Sequence, residues 1–228
     1  MIDIARNLEI VESKIRAACD KSGRRFADVK LVAVSKTQSS ERISQLAELG
    51  VVDFGENRVQ ELLEKRPQIS HDITWHMIGH LQTNKVKSII DKVALIHSVD
   101  SLRLAKEIDK QAKLVEKTME ILVEINIAGE ESKHGIEPGE LSEFLTEVAT
   151  YKNIVVKGLM CLAPYVENPE ENRVYFRKMR QMFVDNKSLS ANNISMEHLS
   201  MGMTNDYEVA IEEGASIVRV GTGIFGAR

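Results

Sequence analysis

Lys36 stands directly after an apolar run, in a place where a lysine can act as a nucleophile. It follows the segment LVAV with only Ser35 between them. A half-buried lysine loses its proton more readily than a solvated one, and the neutral amine attacks a carbonyl carbon to form a Schiff base. The alternative is a lysine that only extends its amine from a strand end into solvent. Lys36 therefore needs support from other residues.

Near the end of the sequence, the segment SIVRVGTGIF contains groups that suit an anion. Arg219 stands inside its β-branched run, and Gly221 and Thr222 follow. Glycine allows a backbone to approach a ligand closely, so the N–H groups of this turn and the Thr222 hydroxyl could bind a phosphate. An ordinary turn explains the glycines equally well.

The preceding segment, LSMGMTND, predicts a second loop rich in hydrogen-bond donors. We expect Ser200 and Gly202 at a strand-to-helix turn, with Thr204 or Asn205 as the cap of the next helix. The N–H groups at that helix start would face the same anion. Two such loops side by side favour a phosphate site over an ordinary capped loop.

Asn57 follows another apolar run and has two interpretations of equal weight. It is either the N-cap of the next helix or a hydrogen-bond partner for a ring hydroxyl or carbonyl of a ligand. Nearby, His71, His76 and His80 lack the helical histidine–glutamate pattern of zinc proteases, so we predict no metal site. The charged segment 126–136 is either a lid or a solvated loop.

Short runs rich in Val and Ile alternate with helical patterns, which is typical of repeated βα units and a parallel sheet. We predict strands over residues 30–35, 52–56, 73–79, 94–99, 120–127, 155–160, 195–201 and 216–225. The intervening helices are predicted over residues 39–49, 57–65, 84–90, 101–117, 138–151, 169–186 and 205–214.

Eight strands are the number that closes a (β/α)8 barrel, and 228 residues suit one such domain. The competing architecture is an open doubly wound sheet, but the glycine-rich turn expected after its first strand is missing from SKTQSS. We therefore predict an α/β fold, a single TIM barrel over residues 1–228. An amphipathic helix over residues 2–21, ended by Gly23, precedes it. Ligands are expected at the carboxyl ends of the strands, where Lys36 lies.

The composition argues against several classes of function. A formal net charge of -4 and a pI near 5.9 give no general attraction to nucleic acid or to an anionic membrane. Two distant cysteines, Cys19 and Cys161, favour a reducing compartment over a disulfide scaffold. Without a signal peptide or an apolar run long enough to cross a bilayer, the expected location is the cytoplasm. No exposed apolar helix face stands out, so we expect a monomer.

Together these motifs resemble a known family. The segments LVAVSKT, FGENRVQE, WHMIGHLQTNK, SVD, EINIAGEESKHGI, GLMCLAP and LSMGMTNDYEVAIEEGASIVRVGTGIFG have the order and spacing of the pyridoxal phosphate homeostasis proteins, the YggS or PROSC family. The resemblance covers nearly the whole chain. It implies a barrel similar to the N-terminal domain of bacterial alanine racemases, with pyridoxal 5'-phosphate (PLP) as cofactor.

The resemblance also assigns roles to individual residues. It implies a covalent PLP aldimine on Lys36 and places Asn57 near the cofactor ring. The remaining cofactor-binding positions that it implies are Ser200 as a phosphate ligand and Arg219, Gly221 and Thr222. Related B6 vitamers would be further ligands, and PLP-dependent apo-enzymes would be recipients of the cofactor.

Arg219 argues against strong catalysis at such a site. An arginine facing the pyridine nitrogen keeps its proton, so the ring nitrogen stays neutral and the cofactor is a weaker electron sink. Alanine racemases compensate with a tyrosine from a separate β domain of the partner subunit, and a sequence ending at Arg228 is expected to lack that domain. None of the tyrosines stands out as a second base: Tyr151, Tyr165, Tyr175 and Tyr207.

We therefore predict an intracellular protein that holds, buffers or delivers PLP and is not primarily an enzyme. Two other functions stay open. One is a minimal PLP-dependent amino-acid racemase. The other is an aldolase that uses Lys36 on a phosphorylated sugar and needs no cofactor.

Overall fold

A closed barrel carries the candidate site. In the computed structural model, which describes residues 3–130, 133–187 and 193–226, eight parallel strands close in the order of the sequence. The strands are β1 (Lys30–Val34), β2 (Asp53–Glu56), β3 (Thr74–Met77), β4 (Leu95–Val99), β5 (Met119–Ile125), β6 (Ile154–Cys161), β7 (Ile194–Met203) and β8 (Ile217–Val220). This closure confirms the predicted (β/α)8 architecture and rules out the open doubly wound sheet.

Alternation along each strand separates the barrel interior from its outer face, because successive side chains point to opposite sides of a sheet. An apolar cluster inside the barrel collects one residue from each of several strands: Val32, Leu95, Leu122, Met160 and Ile217. A much larger apolar core lies between the strands and the helices. By the same alternation, Lys30, Val32, Val34 and Lys36 share the inner side of β1.

Helices cover the outer face of the barrel. They are α1 (Ile4–Lys21), α2 (Ser40–Glu48), α3 (Val59–Lys65), α4 (Val86–Ile89), α5 (Leu102–Leu114), α6 (Leu141–Val148), α7 (Arg173–Asp185), α8 (Tyr207–Glu212) and α9 (Thr222–Phe225). Short 3-10 turns occur at Phe26–Asp28, Arg66–Gln68, Thr83–Lys85, Pro138–Glu140 and Pro169–Asn172. In the described part of the chain, no helix has both the length and the apolar character needed to cross a bilayer.

The predicted leading helix is confirmed as α1. Asp3 caps its start by accepting a hydrogen bond from the backbone N–H of Arg6, and Gly23 follows its end with a positive φ of 67°. Residues at steps of three and four, among them Ile4, Leu8 and Val11, are buried. They pack α1 against α8 and α9, so this helix closes over the C-terminal units of the barrel.

The last predicted strand was too long. The strand ends at Val220, and residues 222–225 form the short helix α9, because the amides of Ile224 and Phe225 both donate to the Gly221 carbonyl over 2.9 Å. The strand prediction extended too far because Ile224 and Phe225 are apolar, like the residues of the strand before them. In the structure both side chains are buried without a place in the sheet.

The placement of Ser200 and Gly202 at a turn after β7 was also wrong. Both lie within β7, which continues to Met203 through an irregular register against β8. Gly202 has a φ of 89°, which a side chain would strain, and this glycine lets the strand bend while Met203 still pairs with Arg219. The donor-rich loop therefore begins later than predicted.

Candidate functional site

A cavity of about 300 Å³ opens at the carboxyl ends of the strands, which is a size that accepts a small ligand. Lys36 after β1, Asn57 after β2 and Arg219 on β8 all line it, together with Glu124 on β5. Three of the predicted site residues are thus brought to one cavity. The functional end of a (β/α)8 barrel is this same end.

Lys36 is half-buried and stands before a strained turn. Thr37, the next residue, has a φ of 63°, in the left-handed region that non-glycine residues rarely enter. Its backbone N–H donates to Glu61 Oε2 over 2.6 Å. This contact between Thr37 and α3 therefore fixes the direction in which the chain leaves Lys36.

A buried ion cluster supports this turn. Lys65 Nζ lies 2.8 Å from Glu56 Oε1 and 2.7 Å from Glu61 Oε2, and its side chain is only 10 % exposed. Burial raises the pKa of Glu56, although hydrogen bonds from Lys65 and Ser35 oppose the shift. Burial also acts to raise the pKa of Glu61, but hydrogen bonds from Lys65 and Thr37 outweigh it and lower that pKa. Glu61 is thus held as a carboxylate beside Lys36.

Asn57 belongs to the cavity wall and does not cap a helix. The N-cap of α3 is Arg58, so the capping interpretation of Asn57 was wrong. The Asn57 Oδ1 atom is buried and has no hydrogen-bond partner among the described residues. A Cβ on Gly79 would overlap the backbone of Asn57, so a glycine is needed there for the two loops to approach. A buried acceptor without a donor is costly, and a ligand in the cavity could supply the donor.

Arg219 lies at the inner end of the cavity and is 3 % exposed. Its Nη1 donates to Ser200 Oγ, and its Nη2 donates to the Cys161 carbonyl over 2.8 Å. Burial lowers the pKa of Arg219, and Cys161 and Glu124 oppose the shift. A guanidinium keeps its charge even so, and its remaining N–H groups are available to a ligand.

Ser200 lies beneath Arg219 inside the barrel and is fully buried. Its Oγ contacts His97 Nδ1 at 3.0 Å as well as the Arg219 guanidinium. Both contacts are to protein groups, so the Ser200 hydroxyl supports Arg219 from below. A direct contact of Ser200 with phosphate stays a prediction.

Gly221 and Thr222 lie beside Thr204, a residue whose neighbours Met203 and Asn205 line the cavity. The amides of Gly221 and Gly223 both donate to Thr204 Oγ1 over 3.3 Å. Thr204 and Asn205 do not cap α8, whose N-cap is Asp206; Asn205 instead donates to the Val166 carbonyl. Two backbone N–H groups therefore converge on one oxygen, which is the arrangement that an anion uses.

Several known proteins are similar to this chain in sequence and in fold. Residues 7–228 match the family model described as alanine racemase, N-terminal domain. The pyridoxal phosphate homeostasis protein of Aquifex aeolicus (strain VF5) is 45% identical over 228 residues, covering 100% of this chain and 99% of that relative. The protein of the same name from Escherichia coli (strain K12) is 37% identical, with 100% and 98% covered.

The chain belongs to the family of pyridoxal phosphate homeostasis proteins.

A solved structure of PipY from Synechococcus elongatus PCC7942 with PLP bound has the same fold as this member of the pyridoxal phosphate homeostasis family. Its TM-score is 0.86 at 30% identity, and the match covers 98% of this chain and 100% of that one. The resemblance stated from the motifs is thereby confirmed at the level of the whole chain.

Two further residues of this family member line the cavity and were not predicted. Burial raises the pKa of Glu124 to about 7, with Asp100 adding to the shift and Arg219 opposing it. Tyr165 is 88% exposed at the cavity mouth, although no tyrosine stood out in the sequence. Glu124 and Tyr165 are thus an acid and a phenol within reach of the same ligand.

At the mouth, His80 and His134 stack with their ring centroids 3.8 Å apart, and His80 Nδ1 lies 3.0 Å from Asp100 Oδ2. The ring planes differ by only 13°, so an ion about 2 Å from a nitrogen of each ring would lie far outside both planes. This stacked arrangement does not suit metal coordination. His76, by contrast, lies inside the barrel.

His134 belongs to the segment 126–136, of which Glu131 and Ser132 lie outside the described residues. The described part is tied to the end of β5: the Ile136 amide donates to the Glu124 carbonyl over 2.9 Å, and the Asn126 amide donates to the Ile136 carbonyl over 3.0 Å. Lys133 and His134 line the cavity. The described residues at this end of the segment therefore form part of the wall.

Proposed function

We propose that this protein binds PLP in the cavity, holds it as a Schiff base on Lys36 and releases it to other amines or apo-enzymes. The observation that carries the proposal is the convergence of Lys36, Asn57 and Arg219 on one cavity of about 300 Å³. The PLP-bound structure of PipY, with the same fold, supports it.

The residues present fit each part of PLP. The Lys36 amine lines the cavity and would bond the aldehyde, the Asn57 Oδ1 has no donor among the described residues, and Arg219 offers N–H groups to the pyridine nitrogen. The converging amides of Gly221 and Gly223 suit the phosphate. We assign Thr222, exposed at the start of α9, to the same end of the cofactor.

The bond to Lys36 makes storage reversible. The Lys36 Nζ attacks the aldehyde carbon, and the carbonyl oxygen leaves as water. A second amine that attacks the same carbon passes its two hydrogens to the Lys36 nitrogen, which leaves as the free amine. The exchange is therefore balanced by the two amines and consumes no other reagent, which suits a carrier that is not primarily an enzyme.

An absorbance spectrum of the protein loaded with PLP tests the assignment. The bound form should show the visible band of a Schiff base, and borohydride reduction followed by peptide mapping should place the label on Lys36. Lys36→Ala should abolish both signals. Lys133→Ala is the matched control, because Lys133 lines the same cavity, and it should retain both.

The proposal fails if Lys36→Ala keeps the band, or if the label maps to Lys133. A protein that binds no PLP but forms a reducible adduct with a phosphorylated sugar would favour the aldolase.

A racemase is the second candidate, because Glu124 and Tyr165 line the cavity with Lys36 and could move a proton at a substrate carbon. The test is exchange of the α-hydrogen of L-alanine in deuterated water by the PLP-loaded protein. Exchange well above that of free PLP, and lost in both Tyr165→Phe and Glu124→Gln, would favour the enzyme. Exchange at the level of free PLP would favour the carrier.

A further inference from the structure

A continuous series of hydrogen bonds runs through the barrel from the cavity to the opposite end. Arg219 Nη1 donates to Ser200 Oγ, which lies 3.0 Å from His97 Nδ1. His97 Nε2 lies 3.0 Å from His76 Nδ1. His76 Nε2 lies 2.8 Å from Asp53 Oδ1, and that oxygen also accepts from Lys30 Nζ over 2.8 Å.

With both imidazoles neutral, every hydrogen in this series has one position. An ionised carboxylate only accepts and a neutral imidazole has one donor and one acceptor nitrogen, so each link must donate toward Asp53. The Ser200 hydroxyl then donates to His97 Nδ1, and His97 Nε2–H donates to His76. His76 Nε2–H in turn donates to Asp53. Both imidazoles are neutral in this arrangement and carry their hydrogen on Nε2.

The surroundings of the series agree with that assignment. Burial, together with the nearby charge of Arg219, lowers the pKa of His97 well below its usual value, so the ring is neutral. Burial acts to raise the pKa of Asp53, but hydrogen bonds from His76 and Lys30 outweigh it and lower that pKa. The acceptor end is therefore a carboxylate. The four groups from Ser200 to Asp53 are all buried.

We propose that Ser200, His97, His76 and Asp53 are positioning residues that form a one-way hydrogen-bond chain, and that this chain holds the Arg219 guanidinium in place for its ligand. Two N–H groups of Arg219 are engaged with Ser200 and the Cys161 carbonyl, so the plane of the guanidinium is fixed. The role toward PLP rests on the proposed function. The hydrogen-bond chain itself is present in the protein without cofactor.

Histidine tautomers test the chain without any cofactor. In the wild-type protein labelled with 15N-histidine, nitrogen-detected NMR at neutral pH should show His76 and His97 each as the neutral Nε2–H form. Assignment uses single His→Gln variants. An Nδ1–H form or an imidazolium at His76 or His97 would overturn the proposal, and the tautomers themselves are measured in the wild-type protein.

Asp53→Asn tests the coupling to Arg219, because asparagine keeps the shape and removes the end that can only accept. We expect His76 and His97 to lose their single tautomer, PLP affinity to fall about tenfold and the bound absorbance band to shift. Asp109→Asn is the matched control. Asp109 is a half-buried carboxylate on α5 that bonds the Asn153 backbone, and this variant should change none of the three.

The outcomes separate this proposal from the proposed function. Wild-type PLP affinity and an unchanged band in Asp53→Asn would overturn the positioning role. If the protein shows the expected tautomers but binds no PLP, the hydrogen-bond chain is supported and the proposed function is wrong.

Discussion

The ammonium of Lys65 donates a hydrogen bond to the backbone carbonyl of Ser35 over 2.9 Å, directly before Lys36 in the chain. The same ammonium contacts Glu61, whose carboxylate binds the amide of Thr37 directly after Lys36. One buried cation from α3 thus fixes the backbone on both sides of Lys36, the residue proposed to hold PLP.

Replacing Lys65 should therefore weaken both the fold and the labelling of Lys36. Lys65→Met leaves two carboxylates without their cation, one of them fully buried, and should lower the free energy of unfolding by about 3 kcal/mol. Urea denaturation measures the loss, and borohydride labelling measures the reactivity of Lys36. Lys14→Met, which breaks the exposed pair with Glu208, should change stability by less than about 1 kcal/mol. Equal losses of stability in the two variants would contradict the structural role of Lys65.

Glu124 should make stability fall as pH rises. Its pKa is raised by burial from 4.5 to about 7, so the native state keeps a proton that the unfolded chain releases. The stability this provides is complete below the lower value and is lost as pH rises toward the upper one. The glutamine in Glu124→Gln cannot ionise. As pH rises from the lower to the upper value, the free energy of unfolding of this variant should therefore increase by about 3 kcal/mol relative to wild type. Urea unfolding of both proteins at the two pH values measures the difference in their free energies of unfolding. A difference that does not change with pH would contradict the raised pKa of Glu124.

Gly202 should tolerate no side chain. Its φ is 89°, and a Cβ would lie 2.5 Å from Ala210 Cβ and 2.9 Å from Tyr207 Cα. Gly202→Ala should destabilise the protein by more than about 2 kcal/mol, seen as a lower Tm. Gly139→Ala is the control, because nothing lies within 4 Å of its Cβ, and its effect should stay within about 0.5 kcal/mol. A similar Tm for both would mean that the bend of β7 does not need glycine.

Asn57 should matter for the ligand and not for the fold. Its Oδ1 is buried without a partner in the described residues, so Asn57→Ala removes an unsatisfied group and should leave the stability of the cofactor-free protein unchanged or higher. PLP affinity, measured by titration of absorbance, should fall about tenfold. Asn205→Ala also changes a cavity amide, one already bonded to Val166, and should have a smaller effect on affinity. A destabilised Asn57→Ala with full affinity would reverse this assignment.

The barrel could be predicted because the signal repeats along the chain. Each βα unit shows an apolar run followed by a helical pattern, and eight repeats allow closure. Lys36 and Arg219 could be found because they interrupt apolar runs near strand ends. The error at residues 222–225 arose because Ile224 and Phe225 are buried by tertiary packing, which in sequence resembles burial in a strand.

The interior polar residues could not be assembled from sequence alone. Asp53, His76 and His97 lie in three different short strands that also contain other polar residues, so nothing in the sequence of any one strand singles them out. Only the register of the closed sheet brings them into contact. The recurrence of one polar residue on the inner side of neighbouring strands was the available signal.

The hydroxyl of Thr204 already occupies the point where the amides of Gly221 and Gly223 meet. A phosphate oxygen that took those amides would first have to displace it, so ligand and side chain compete for the same donors. Breaking the hydrogen bonds to Thr204 then offsets part of the free energy gained from the new bonds to phosphate. The hydroxyl can bond the two amides again as the ligand leaves. At the proposed phosphate site, such an internal competitor would limit how tightly the ligand is retained and would favour its release over permanent capture.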